Sequence, residues 1–228
     1  MSRRDKKSML SLSVVVFSTG QKKVLKKTLK YLRKRVDFTG LEVHWLSSDD
    51  YVDHPKIDNA ACRAFIKELG LFEYCYFAEK NQGLGGVINT MYQQVKTSYV
   101  LHLEHDWKFV RPVALRPLVE IMEAHPEITC IRFNKKITKA APQLFWLDEP
   151  ERERRFGPYI LTEMKSWTAN PTLYRAAHML QALPIDDRED SEISMKKNLS
   201  ALGFRSYSLG RPGETYVKHL KGVQGGKY

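Results

Sequence analysis

Two carboxylates at alternate positions, Glu104 and Asp106, stand directly after the apolar run Tyr99-Val100-Leu101-His102-Leu103. Side chains two apart leave the same face of an extended chain, so both can project from one strand end. Hard divalent cations that carry phosphates are held by a few carboxylates together with phosphate oxygens, which suits this spacing. Carboxylates at strand ends are also common as plain solvated residues. A second acidic group, Asp186-Asp187-Arg188-Glu189-Asp190-Ser191-Glu192, opens a helical pattern. Its members can accept a proton in catalysis, or only cap the helix and complement its positive end. The segment Asn81-Gln82-Gly83-Leu84-Gly85-Gly86 fits neither the dinucleotide fingerprint nor the Walker loop, and by itself reads as a glycine-rich helix entry. Asp49 and Asp50 close a Ser/Asp cluster of the kind that turns favour. His219 has no second histidine nearby, and Trp107, Trp167 and Tyr216 can stack on sugar rings or fill a core.

The elements that must position these residues alternate. Leu10 to Phe17 is a β-rich apolar strand ending at Thr19-Gly20, and Lys22 to Arg35 follows with apolar residues at helical spacing. Leu41 to Leu46 is a second strand, stopping at Ser47-Ser48-Asp49-Asp50. Asp58 can cap a helix through Leu69, and Leu71 to Phe77 is a third strand. The glycine-rich segment leads into a helix to about Lys96, before a fourth strand, Tyr99 to Leu103. Four strand–helix alternations predict an α/β fold: a mostly parallel central sheet flanked by helices, with ligands at the carboxyl ends of the strands. All the polar clusters of the first half fall at such ends. The second half predicts helices near Val113 to Ala124 and Ser191 to Leu202 and strands at Ile128 to Phe133 and Phe204 to Ser208, with short strands between. The expected organisation is a basic tail, residues 1–9, and one domain, 10–228.

Composition narrows the function classes. With 228 residues, 43% hydrophobic and 28% charged, the chain has ordinary globular usage rather than that of a disordered or collagenous protein. The formal net charge of +11 is not spread evenly. Residues 1–35 hold 12 Lys/Arg and one Asp, so the remaining 25 basic and 25 acidic residues balance. The excess lies in the tail and in the helix Lys22 to Arg35. That helix reads as a solvated outer face, a peripheral contact with an anionic membrane, or a nucleic-acid contact; no aromatic interleaving or known nucleic-acid motif supports the last. No run is long and apolar enough to span a membrane. The basic N-terminus and apolar run imitate a secretory signal, but Gln21-Lys22-Lys23 stands where a small-residue cleavage site belongs. Three cysteines without CxxC spacing indicate neither a disulfide framework nor a zinc site, and leave the cytoplasm as the expected compartment, with the membrane surface as a peripheral option.

Taken in order, the motifs resemble those of the family 2 glycosyltransferases of the GT-A fold. Such enzymes open with an apolar strand and helix, as in Val14 to Leu32, followed by a strand ending in an Asp/Ser cluster, here Ser47 to Asp50. They continue with an Asn-x-Gly-x-Gly segment, here Asn81 to Gly85, and a DxD-like motif, here Glu104-His105-Asp106. Trp167 to Arg175 resembles the acceptor-side segment, Glu189-Asp190 the acidic helix start, and His219 the late histidine. This chain departs in having Glu for the first Asp of the metal motif, Ser18-Thr19-Gly20 after the first strand, and aspartates following the serines.

The resemblance implies an inverting, metal-dependent transfer of a sugar from a nucleoside-diphosphate sugar, UDP or GDP above all, to a hydroxyl of a glycan or other acceptor. It assigns the donor to residues 10–106 and the acceptor side to 107–228. Phe17, Ser18, Thr19, Asp49, Asp50, Asn81, Gly83, Glu104 and Asp106 would hold the donor. Asp106, His219 and Glu104 would hold Mn²⁺ or Mg²⁺, Asp190 or else Glu189 would be the base, and Trp107, Trp167 and Asn170 would face the acceptor. Two alternatives remain open: a sugar-1-phosphate nucleotidyltransferase, and an inactive domain of this type that binds membrane or nucleic acid through its basic helix.

Overall fold

The structure, a computed structural model, describes residues 9–135, 152–164, 170–186, 190–211 and 213–221. Its centre is β1 (Leu10–Ser18), buried from Leu12 to Ser18. β1 pairs in parallel with β3 (Leu41–Asp49) on one side and β5 (Tyr99–Glu104) on the other, which sets Phe17 level with Ser48 and Glu104. A strand covered on both faces has no solvent side, so its sequence reads as an apolar run rather than an alternation.

Three strand–helix passages build this half. α1 (Lys22–Arg35) buries Leu25, Thr28, Leu29 and Leu32 and ends in Arg33, Lys34 and Arg35, whose charges suit the negative end of the helix. β2 (Val36–Asp37) leads into β3. α2 (Asn59–Glu68) starts at Asp58, whose carboxylate accepts the Ala61 N–H at 2.9 Å. β4 (Tyr74–Phe77) and α3 (Gly83–Tyr92) precede β5.

Beyond β5 come β6 (Trp107–Phe109), β7 (Val113–Ala114), α4 (Leu115–Ala124), β8 (Ile128–Phe133), β9 (Glu153–Phe156) and β10 (Tyr159–Glu163). β11 (Thr172–Arg175), α5 (Ala176–Gln181), α6 (Ser191–Ala201), β12 (Arg205–Leu209) and β13 (Val217–His219) complete the described chain. Among the described residues the main sheet has the order β4-β3-β1-β5-β11-β8-β12-β10-β9. β11 runs antiparallel to both β5 and β8, and β10 antiparallel to β12 and β9. The remaining strands share one direction, so the sheet is mixed with a mostly parallel body. β13 pairs antiparallel with β6 in a separate ribbon.

Alternate residues of the central strands feed two apolar layers. Leu12, Val14, Val16, Leu101 and Leu103 face α1, α2 and α4, whereas Val15, Phe17 and Val100 face α3, α5 and α6. Helices thus cover both faces, as the alternation predicts.

Three boundaries differ from expectation. The second strand runs on through Ser47-Ser48-Asp49, because these polar residues are buried within the sheet rather than turning at its end. The third strand shortens to four residues, and α3 begins inside the glycine-rich segment. The segment expected on the acceptor side supplies β11, a strand in the middle of the sheet; four residues buried among neighbours show too little alternation to announce a strand.

Candidate active site

At the carboxyl end of β5 the chain turns through His105 and Asp106 into β6. Three bonds fix the turn: the His105 N–H donates to the Phe17 carbonyl at 2.7 Å, Thr28 Oγ1 donates to the His105 carbonyl, and the Leu220 N–H donates to the Asp106 carbonyl at 2.6 Å. β13 then sets His219 opposite Trp107. The result is a contact of 2.9 Å between His219 Nε2 and Asp106 Oδ2.

This pair fits a divalent cation. Two ligands each about 2.1 Å from a metal and at right angles to one another lie about 3 Å apart, close to the observed separation. Asp106 Oδ1 is buried and has no hydrogen-bond partner, so the carboxylate has capacity to spare. No group of three or more His, Cys, Asp or Glu among the described residues is arranged to hold a metal. A cation here would draw its other ligands from phosphate oxygens and water, the usual arrangement for Mg²⁺.

Glu104 lies beside this pair. Burial pushes its carboxyl up to about 8, the negative charges of Asp106 and Glu192 push the same way, and a hydrogen bond from Trp107 and the charge of Lys135 oppose them. A carboxyl with this pKa keeps its proton at neutral pH, and a bound cation would favour its ionised form. Arg132, buried on β8, and Lys135 just beyond it add positive charge. Burial lowers Arg132 to about 10, and burial together with Arg132 lowers the Lys135 ammonium. Lys135 Nζ lies 5.7 Å from the centre of the Trp107 ring.

The ends of β1 and β3 are held by internal contacts. Phe17 is buried and stacks on His102 at 4.4 Å, so its side chain underlies the rim. Ser18 Oγ meets Cys62 Sγ at 3.4 Å, and Thr19 Oγ1 meets His105 Nε2 at 3.4 Å. Asp49, fully buried, accepts the Gly20 N–H at 2.8 Å through Oδ1 and Arg63 Nε at 3.2 Å through Oδ2. Gly20 sits at φ +71°, where a Cβ would strike the side chains of Ile57 and Asn59. Asp50 accepts N–H groups from Tyr51, Gln82 and Gly83 at 3.0, 2.9 and 3.0 Å, and thereby caps α3 from another strand. Burial raises its pKa against the pull of those three bonds. Asn81 is exposed and donates Nδ2 to the Tyr51 carbonyl at 2.9 Å.

Asp190 is exposed and caps α6, its Oδ1 accepting the N–H groups of Glu192 and Ile193 at 2.9 and 3.3 Å. Among the described residues of the acidic run, Glu192, in the first turn, is the one whose charge reaches Glu104, Arg132 and Lys135. Glu189 and Trp167 lie outside the described residues. Trp107 was expected to face an acceptor; it is only 4% exposed, packed in the core, with its ring edge-on to His219 at 4.9 Å. Asn170 is likewise buried.

Sequence reasoning passed over Arg63, Asn134 and Lys135, and named Glu192 only as one of the acidic group that opens α6. Asn134 is fully buried; its carbonyl accepts the N–H groups of Tyr216 and Val217 at 2.7 and 3.0 Å, and its Nδ2 donates to the Leu209 carbonyl at 3.1 Å. It therefore fixes the approach to β13 and His219. Asn134-Lys135 directly follows an apolar strand, as Glu104 does, and that position was the available signal.

No family model matches the sequence, and no curated protein sequence does either. Solved structures do match. The chain is similar to GalNAc-T7, crystallised with UDP, GalNAc and Mn²⁺, at a TM-score of 0.65 and 13% identity over 96% of this chain. It is similar to the mannosyltransferase PcManGT of Pyrobaculum calidifontis, in complex with GDP-Man and Mn²⁺, at a TM-score of 0.65 and 10% identity over 94% of this chain. It is also similar to residues 1–349 of S. aureus TarS, in complex with UDP, at a TM-score of 0.61 and 16% identity over 93% of this chain. The fold is GT-A-like. The chain spans 45, 58 and 61% of those three proteins respectively, so the likeness covers about half of each. Within this GT-A-like sheet, Asp106 and His219 lie at the carboxyl end of a central strand, where open α/β sheets bind ligands.

Proposed function

We propose that this chain is an inverting, metal-dependent glycosyltransferase of the family 2 type, moving a sugar from a UDP- or GDP-sugar to a hydroxyl of a glycan or other acceptor. The observation that carries the reading is the meeting of Asp106 and His219 beside Glu104, at the ligand-binding end of a GT-A-like sheet. Two of the similar structures hold a nucleotide or nucleotide-sugar with Mn²⁺, which supports the same class of donor here.

In this reading residues 10–106 form the donor half and 107–228 the acceptor side. Asp106 and His219 would hold Mn²⁺ or Mg²⁺, and Glu104 would contact the donor or a water beside it. Bound there, the cation supplies Lewis-acid neutralisation of the departing diphosphate. Thr19, Asn81 and Gly83 would line the nucleoside, with the buried Phe17, Ser18, Asp49 and Asp50 supporting them from below. Lys135 and Arg132 add fixed positive charge where the diphosphate gathers negative charge, and charge stabilisation of this kind is a large part of transfer catalysis. Asp190 would take the acceptor proton, Glu189 being the fallback. Glu192, in the first turn of α6, acts on the charges of Glu104, Arg132 and Lys135 and would keep the acidic rim oriented. One base and an in-line approach to C1 give inversion. Asn170 and Trp167 would shape the acceptor side, and Trp107 would support His219 from the core.

The test is a thermal-shift panel of UDP, GDP, dTDP and their sugars, each with Mn²⁺, Mg²⁺ or a chelator. A ligand that binds the native state alone raises the melting temperature by mass action. A metal-dependent rise with one nucleotide family is expected. No rise with any of them, in protein shown to be folded, rejects the reading.

A further inference from the structure

Eight of the chain's basic residues lie on one helix, α1, and seven of them face solvent. On α1, Lys22, Lys23, Lys26, Lys27, Lys30, Arg33 and Lys34 are all exposed while the apolar positions pack inward. None of the seven forms an ion pair with a carboxylate among the described residues. Arginines elsewhere do so: Arg63 with Asp49, Arg111 with Glu214, Arg116 with Glu120 and Arg211 with Glu153.

The neighbouring β6–β13 ribbon extends the patch. α1 packs on β6, where Lys108 places its Nζ 5.5 Å from the centre of the Tyr31 ring, and Lys218 of β13 stands directly opposite Lys108 in the register. Lys27 and Lys34 flank Tyr31 at helical spacing, so positive charge continues from α1 across the ribbon towards His219. At the other end, Leu10 pairs with Leu41, which follows closely on the last turn of α1. Met9, the residue before β1, is 63% exposed.

We propose that α1 and the β6–β13 ribbon form a docking surface for an anionic lipid bilayer, which holds the protein at the membrane with the rim beside it. Six of the seven exposed α1 cations are lysines. Lysine is a hydrated point charge, suited to the diffuse potential of fluid headgroups, whereas fixed phosphates are better matched by the arginine fork. Its ring, Tyr31, is covered by Lys108 and is not presented for stacking on a base. The apolar side of α1 is spent on the core, so attachment is electrostatic and sensitive to salt.

Flotation of the full chain with phosphatidylcholine vesicles, with and without phosphatidylglycerol, tests this. Binding is expected only to the anionic vesicles and is lost at about 1 M salt, where the screening length is only about 3 Å. Each lysine near such a surface contributes about a fivefold factor, so joint replacement of Lys23, Lys27, Lys30 and Lys34 by Gln should weaken binding by roughly two orders of magnitude or more. Replacing Lys80, Lys96, Lys196 and Lys197, exposed residues outside α1 and the ribbon, should change it little. Unfolding curves of both variants should overlay the wild type. The proposal is overturned if folded protein ignores anionic vesicles, if the α1 variant floats as the wild type does, or if a DNA duplex at matched phosphate concentration is bound while vesicles are not. Nucleotide binding in the absence of lipid is a separate readout, so the outcome stands apart from the donor reading.

Discussion

His219 Nε2 lies 2.9 Å from Asp106 Oδ2, although the two residues come from β13 and from the turn after β5. No local interaction produces this contact. It depends on the β6–β13 pairing and on Asn134, which holds the chain entering β13 by bonds to Tyr216 and Val217.

If the pair holds a cation, Asp106→Ala should abolish the metal-dependent part of nucleotide binding, because the carboxylate supplies both charge and geometry. His219→Ala should weaken the metal by at least the roughly 10- to 100-fold typical of losing a residue that merely supports a ligand, and leave metal-free nucleotide binding unchanged. Metal titrations followed by thermal shift check both. An unchanged titration in His219→Ala removes the histidine from the ligand set.

Asp190 has a cap to keep and a proton to take, and the two roles separate by substitution. Asn is as good an N-cap as Asp, so Asp190→Asn should hold stability to within about 0.5 kcal/mol. Loss of a general base typically costs about two to four orders of magnitude in rate. Near-normal transfer by Asp190→Asn would move the base elsewhere, and the same assay on Glu192→Gln would show whether it moves to the next carboxylate on α6.

Much of this was legible because it is periodic. β1, α1, α2, β5 and β8 have strong apolar patterns, and their strand ends lead straight to Glu104 and Asp106. What escaped is held by contacts between elements far apart in sequence. Asp50 reads as a turn residue, but it caps α3 from across the rim. Asp49 reads the same way, yet it is buried against Arg63. β11 is too short and too enclosed to show a period, and its place between β5 and β8 follows from the sheet alone. Trp107 carries no sequence mark that tells a core indole from a sugar platform; its burial against His219 in β13 and Lys135 just beyond β8 decides that.

The Asp49–Arg63 pair gives a stability prediction. Asp49 is fully buried, and Arg63, 23% exposed, also donates to the Ala78 carbonyl. Removing one partner of a buried pair leaves a charge without compensation and costs about 3–5 kcal/mol. Arg63→Ala should therefore lower the urea midpoint substantially with an unchanged m-value. Asp49→Asn should cost less, since the amide oxygen still accepts from Gly20 or Arg63. A midpoint within error of wild type for Arg63→Ala would show that the pair contributes little.

His178 supplies a pH dependence away from the site. Its ring stacks on Phe204 at 3.7 Å and 5° and meets Thr129 Oγ1 through Nδ1 at 3.1 Å. Burial, helped by the charge of Arg175, lowers its pKa below the ordinary 6.5. In the unfolded chain the ring takes a proton at about 6.5, while the folded protein resists protonation until a lower pH. Below about 6.5 the unfolded state therefore binds more protons, so stability rises with pH across the window between the two values and is lost as pH falls through it. His178→Phe keeps a ring for Phe204 and removes the titration. Its urea midpoint should fall less than that of wild type between about pH 7 and about pH 5, and equal falls would show that His178 carries none of the acid sensitivity.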